Sequence, residues 1–371
     1  MADVLLTVSG LVAPDTAAQV AHDARPRADY LELARALPAD LMDYGTARRH
    51  GGTLGRLLGL VGGPDVMLAW ACFSRRRRYR AIFTDGEQVG IPLAWFSKFC
   101  ALRRPRPRHL MITHTLAVRK KMLFLDWLGV HSHIDRFLVY STWQKRFIEN
   151  RWHIPPDRVT HIPFMVDTEF FAPERVSSTN TGDPPMICSV GIEGRDYATL
   201  LKAVHGLDVR VIVAAASQWS KRADPIWNHE VPANVSVRRY SQAELRQVYS
   251  DSRFMVLPLH RVNFQAGVTA ILEAMAMGRA VICSRTPGQT DVIVDRETGL
   301  YVPASDPPAL RSAIRHLLAH PEEADRMGRA GRRLVEETMS LDRYVRRLHR
   351  YVRHATADRG APSPDDGPLE P

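Results

Sequence analysis

The chain is poor in the features that define several protein classes. Only four cysteines occur in 371 residues (Cys72, Cys100, Cys188 and Cys283), far apart and with no Cys-x-x-Cys pair. That excludes a disulfide scaffold and a thiolate zinc site, and it suits a reducing, cytoplasmic setting. No apolar run approaches the roughly 18 residues that a membrane-spanning helix requires. The opening Met-Ala-Asp lacks the basic flank of a secretory leader. Walker, Ser-His-Asp, zinc-spaced and Asp-x-Asp patterns are all missing, which removes the common signatures of metal-held and triphosphate-binding sites. No repeat of solenoid period is present.

What remains is globular in composition, with 45% hydrophobic and 24% charged residues. At about 150 residues per domain, the length supports two domains with sizeable cores. The net charge of +10 is concentrated: residues 61–125 hold 13 basic and 3 acidic side chains, so the rest of the chain is neutral.

Short apolar runs alternate with helical periodicity throughout. Strands are expected at 4–8, 39–42, 79–84, 108–113, 136–141 and 158–162, with helices at 27–37 and 142–151. A polar turn-rich stretch, 177–185, separates this set from a second one. There, strands are expected at 186–190, 209–213, 254–257 and 280–283, and helices at 197–204, 268–277, 308–318, 321–338 and 341–354. Such alternation predicts βαβ units around parallel sheets, with ligands outside the carboxyl ends of the strands. The Pro-, Gly- and Asp-rich stretch 355–371 reads as a disordered tail.

The segment from Asn263 to Gly278 carries the most chemistry. A small turn leads into an apolar helix that stops at a glycine. The first amides, at Gly267, Val268 and Thr269, lack intrahelical partners, and with the macrodipole they make an anion site suited to a diphosphate. Gly267 permits close approach to the backbone. Gln265 and Glu273 stand eight residues apart, just over two helical turns, so both are expected near one face. A carboxylate in so apolar a helix needs a partner or a cavity; the plain alternative is an ordinary helix start.

Gln265-x7-Glu273 followed by Ala-Met-Ala-Met-Gly-Arg-Ala-Val-Ile resembles the Glu-x7-Glu signature of GT-B glycosyltransferases of family 4 (group 1). Thr286-Pro287-Gly288-Gln289-Thr290-Asp291-Val292-Ile293 and Gly299-Leu300-Tyr301-Val302 keep the same register, and Val166 to Phe171 resembles the interdomain connector. The resemblance implies an α/β fold of two Rossmann-like domains facing across a cleft: residues 1–166 on the acceptor side, 167–340 on the nucleotide-sugar side, and a C-terminal helix, 341–354, crossing back to the N-terminal domain.

By position, the resemblance implies that Glu273 binds the ribose hydroxyls and that Gln265 contacts the transferred sugar, an amide where the family has a carboxylate. Arg195, in the stretch Val190 to Tyr197, would stabilise the diphosphate, and Ile192 stands where a second cation is usual. Taken by itself, Arg195 reads equally as a surface residue at a helix start. His114, after the strand 108–113, occupies the family's place for a histidine beside the sugar; without the resemblance it is a loop hydrogen-bonder. Ser9-Gly10 resembles the family's glycine loop without its second glycine, which makes Gly10 a donor-binding candidate. Asp85-Gly86-Glu87 could meet an acceptor hydroxyl or cap the next helix.

The implied activity is transfer of a sugar from a nucleoside diphosphate to a hydroxyl acceptor, with retention. Neither a metal nor another cofactor is expected, since no Asp-x-Asp exists to hold one. Two alternatives stand: a nucleotide-sugar epimerase of the same fold, and a non-catalytic relative. The basic stretch around Arg75–Arg78, Arg103, Arg104, Arg106, Arg108 and Arg119–Lys121 has Trp70, Phe73 and 91–96 as apolar neighbours. It reads either as a solvated face or as an interfacial surface that meets anionic lipid and a lipid-linked acceptor at the inner leaflet. Nucleic acid is not expected, because no stacking groove or known module is evident.

Overall fold

Strands and helices alternate along the chain as the apolar pattern dictates, and the strands assemble into two six-stranded sheets. The computed structural model describes residues 2–100, 106–180, 182–215, 226 and 230–357. The first sheet contains β1 (Val4–Thr7), β2 (Asp40–Met42), β3 (Ala81–Thr84), β4 (Arg108–Thr113), β5 (Arg136–Val139) and β6 (Val159–His161), in the order β2-β1-β3-β4-β5-β6. The second contains β7 (Met186–Val190), β8 (Arg210–Ala214), β9 (Val235–Arg238), β10 (Phe254–Leu257), β11 (Ala280–Arg285) and β12 (Gly299–Pro303), in the order β12-β11-β10-β7-β8-β9.

Every pairing is parallel. Parallel strands covered on both faces need continuous apolar sequence. That is why Val4–Thr7, Ala81–Thr84, Met186–Val190 and Phe254–Leu257 are buried from end to end. Each fully buried large aliphatic or aromatic side chain contributes about 1.5–3 kcal/mol. The strand order reverses between β1 and β3 in the first sheet and between β7 and β10 in the second. The crevices outside the carboxyl ends at those two points are where such sheets take ligands.

The chain divides into two compact units. The first comprises residues 1–17, 27–162 and 343–371, and the second 18–26 and 163–342. The boundary expected after residue 166 therefore falls after 162, and 18–26, expected in the first domain, packs with the second. The cause is ionic: Arg246, itself buried, grips both carboxylate oxygens of Asp23 at 3.0 and 2.6 Å. The last helix, Leu341–Thr356, belongs almost wholly to the first unit. There the buried hydroxyls of Tyr344 and Tyr140 share a 2.7 Å hydrogen bond. Residues 355 and 356 are helical rather than part of a tail, and 358–371 lie outside the described residues.

The basic stretch differs from expectation. Phe73, Ile91, Leu93, Ala94 and Phe96 are core residues of the first unit, and Trp70 packs on Phe73 and Phe96. Arg106 and Arg108 pair with Asp135, and Lys121 pairs with Glu87. Arg103 and Arg104 lie outside the described residues. The exposed apolar side chains sit elsewhere. Leu54, Leu57, Leu60 and Val61 ride on helix Gly52–Gly62, while Leu123, Phe124 and Trp127 belong to or follow helix Arg119–Asp126. No helix among the described residues is long and apolar enough to cross a membrane.

Candidate active site

At the reversal point of the second sheet, the loop after β7 brings Arg195 against the end of helix Val268–Ala276. Gly191 and Gly267 make this possible: both have positive φ (94° and 76°), and a methyl group on Gly267 would lie 2.9 Å from Arg195 Nη1 and 3.0 Å from Nη2. Two carbonyls fix the side chain, with Nε donating to Val190 O at 2.9 Å and Nη1 to Glu193 O at 2.8 Å. Only 5% of Arg195 is exposed, and no carboxylate among the described residues lies within ion-pair distance. Burial pulls its pKa down, yet a guanidinium stays protonated. A buried cation with no counter-charge is costly, and here it also opposes the positive end of a helix dipole.

The helix end is unusually bare. Gly267 supplies no side-chain cap and the first turn holds no acidic residue. Val268 N reaches back to Gln265 O at a long 3.4 Å, and the amides of Thr269 and Ala270 have no acceptor among the described residues. Every other described α-helix between residues 163 and 342 is compensated. Asp196, Ser241 and Asp306 cap helices Tyr197–Val204, Gln242–Asp251 and Pro307–Ala319, and Glu322 and Glu323 open helix Pro321–Thr338. An anion at Gly267–Ala270 answers both the buried guanidinium and the free amides.

The shared face expected for Gln265 and Glu273 does not form. The helix starts at Val268, and the left-handed Gly267 breaks the helical spacing, so Gln265 stands in the preceding turn. Its Oε1 is buried without a partner among the described residues. Glu273 is inside the protein, where Oε2 accepts from the Tyr249 hydroxyl at 2.8 Å. Burial, only partly opposed by that bond, pushes the Glu273 carboxyl up to about 7. The helix ends as the sequence indicates, at Gly278 with φ of 67°.

The loop after β11, part of the resemblance, holds further side chains to which no role was assigned. Gly288 packs against the backbone of Phe264, where a methyl would sit 2.4 Å from the carbonyl oxygen. Gln289, fully buried, has neither amide atom bonded among the described residues, and Thr286 Oγ1 is likewise buried and unbonded. Buried polar groups are normally satisfied, so these orphans beside Gln265 fit groups that wait for a polar ligand. Only burial reveals them; their residue types carry no signal.

The reversal point of the first sheet is built with the opposite sign. Asp85 accepts from Thr7 Oγ1 at 2.6 Å and from the amide and hydroxyl of Ser9 at 2.5 and 2.9 Å. Burial nevertheless pushes its carboxyl up. Gly10 follows with open space around it, its carbonyl accepting from Tyr44 N.

His114, beyond β4, is exposed but fixed from three sides. Its amide donates to Glu87 Oε2 at 2.8 Å, Gln144 Nε2 donates to its carbonyl, and its Nε2 lies 2.9 Å from Asp85 O. A carbonyl only accepts, so Nε2 carries the proton and Nδ1 of the neutral ring is the acceptor. Glu87 is buried and takes donors from His114, Thr115 and Lys121. Burial would raise its pKa, but those charges and bonds outweigh it and hold the carboxyl at about 2. His114 and Gly10 thus belong to the first unit, and Arg195, Gln265, Gly267, Val268, Thr269 and Glu273 to the second.

Residues 172–334 match the family model described as glycosyl transferases group 1. That match lies wholly within the second unit. Among curated relatives, D-rhamnosyltransferase WbpZ of Pseudomonas aeruginosa is 29% identical over 139 residues, 37% of this chain and 33% of that protein. A GDP-mannose-dependent alpha-(1-6)-phosphatidylinositol monomannoside mannosyltransferase of Mycolicibacterium smegmatis is 25% identical over 202 residues, 48% of this chain and 52% of that one. The matches thus span a third to about half the length of these curated relatives.

Sucrose-phosphate synthase from Thermosynechococcus elongatus has the same fold, with a TM-score of 0.70 at 18% identity over 95% of this chain and 98% of that one. Anabaena Alr3699/HepE, solved in complex with UDP-glucose, gives 0.67 at 10% identity, covering 95% and 99%. The α/β architecture of two Rossmann-like units is the GT-B one.

Proposed function

We propose that the chain is a glycosyltransferase that moves a sugar from a nucleoside diphosphate to a hydroxyl acceptor, retaining the anomeric configuration and using no metal in the transfer. The observation that carries this reading is the buried, unpaired Arg195 against the uncapped start of helix Val268–Ala276. As the bond between anomeric carbon and phosphate oxygen breaks, charge grows on the diphosphate. The guanidinium and free amides are already aimed to receive it, which is the largest electrostatic demand of such a reaction. The acceptor oxygen bonds the anomeric carbon while its proton passes to the leaving phosphate, because Gln265 offers no carboxylate nucleophile. Glu273 takes the ribose hydroxyls and His114 a sugar hydroxyl through Nδ1. A relative named for GDP-mannose and a structural neighbour solved with UDP-glucose support a nucleotide-sugar donor.

The test is isothermal titration of UDP and GDP against the wild type and Arg195→Met. Binding of at least one nucleotide is expected, with affinity falling about 100-fold in the variant, since a charge-assisted bond to a buried anion is worth roughly 3 kcal/mol. Absence of binding to both nucleotides overturns the reading. Product analysis with a nucleotide sugar and no acceptor separates transfer from epimerisation. Nucleotide binding without turnover across acceptors assigns a non-catalytic role.

The acceptor proposed is lipid-linked, met at an anionic membrane surface by the first unit. The exposed Leu60 and Val61 (84% and 86%), which precede the arginine-rich run 75–78 in sequence, and the exposed Trp127 (82%) support this.

A further inference from the structure

Away from both reversal points, helix Pro307–Ala319 ends and helix Pro321–Thr338 begins with only His320 between them. His320 caps the first and precedes the second, so its ring returns over the last turn, 4.6 Å from the ring of His316. Glu323, in the first turn of the next helix, has Oε2 2.8 Å from His316 Nε2. The ligating atoms of all three side chains lie within 4.8 Å of one another.

We propose that His316, His320 and Glu323 form a binding site for a borderline divalent cation of the zinc type. Two nitrogens and a carboxylate oxygen are the donor set such an ion prefers, with the fourth tetrahedral position left to water. The second shell is in place. His320 Nδ1 donates to the backbone carbonyl of His316 at 2.8 Å, which fixes the proton there and leaves the lone pair on Nε2, the arrangement that metal-ligating histidines use. In His316 the ion takes the place of the hydrogen shared with Glu323, and that proton moves to Nδ1. Bond lengths near 2.1 Å place tetrahedral donor atoms roughly 3.4 Å apart, a closure that rotation of two exposed rings supplies. The competing charge is Arg326, whose Nη2 stands 4.0 Å from Glu323 Oε1, the oxygen that the ion does not use. The bound ion staples the last turn of one helix to the first turn of the next. The run His-x3-His-x2-Glu escapes zinc-spaced patterns because a helix boundary divides it.

The experiment is calorimetric titration of the untagged full chain with Zn2+, paired with thermal melting, for the wild type and the double variant His316→Gln/His320→Gln. One Zn2+ per chain in the micromolar range and a rise in melting temperature are expected for the wild type, with both lost in the variant. Mg2+ binds neither. Nucleotide affinity equal in the two proteins shows that the variant is folded, and it keeps this test apart from that of the donor site. Wild-type binding weaker than about 100 μM, or equal binding by the variant, overturns the proposal.

Discussion

Each unit buries one glutamate near its reversal point, and the two carboxyls are shifted in opposite directions. Glu87 in the first unit receives four hydrogen bonds, one from Lys121 at 2.6 Å, and is held at about 2. Glu273 in the second receives one from a tyrosine and rises to about 7. Burial is the same in both; the donors differ. Glu87 is a structural anion whose needs the protein meets. Glu273 is underprovided, as a carboxylate that shares its bonds with a ligand would be. The same contrast runs through the loops: Asp85 closes the first crevice with a satisfied carboxylate, while Arg195 leaves an unsatisfied cation in the second.

The strongest way to break this contrast is Glu87→Ala. It leaves Lys121 with its bonds to Thr115 but no counter-charge and frees the amides of His114 and Thr115, and a loss of about 3–5 kcal/mol is expected in chemical denaturation at neutral pH. Below pH 4.5 the cost shrinks, because the stability from Glu87 is present above its unfolded pKa and vanishes as pH falls through about 2.

Glu273→Gln tests the other side. A raised carboxyl stabilises fully below pH 4.5 and ceases to do so as pH rises through about 7, so the variant flattens that decline and gains at most about 3 kcal/mol at pH 8. A variant that melts in parallel with wild type across this range would show that Glu273 is ionised normally.

Smaller still is the split between His114→Asn and His114→Gln. Asparagine retains an acceptor near the Nδ1 position and is expected to stay within about 10-fold of wild-type turnover, while glutamine falls about 100-fold. Equal rates return His114 to a loop-fixing role. The least effect is expected for Leu60→Asp, which lowers co-sedimentation with anionic vesicles and leaves neutral ones unchanged; identical binding dismisses the membrane surface.

The strands and the helix between Gly267 and Gly278 were legible because parallel strands and glycine-bounded helices write themselves into composition. Helices Tyr44–His50, Gly52–Gly62 and Pro64–Arg75 were not, since a run such as Gly-Thr-Leu-Gly-Arg-Leu-Leu-Gly-Leu-Val-Gly has weak helical propensity and is held by packing. The apolar 91–96 read as a surface because helix Glu87–Phe99 is apolar on most sides, with no polar face to show that it is buried. At the site, Gly267 was visible from the turn that opens its helix, and Arg195 only through the family resemblance. The break at Gly267 that parts Gln265 from the helix, and the unbonded Gln289, depend on backbone turns and burial that no residue type announces.

The pairing of Tyr140 with Tyr344 constrains how the chain is made. The first unit cannot close its interior until residues near the carboxyl end leave the ribosome, and the second needs Asp23 from the opening stretch to balance Arg246. Neither half is a contiguous piece of chain, so cutting after residue 162 leaves one fragment without Tyr344 and the other with a buried Arg246 that lacks Asp23. Each half takes in residues from both sides of the other in sequence, so neither is whole before most of the chain has been made.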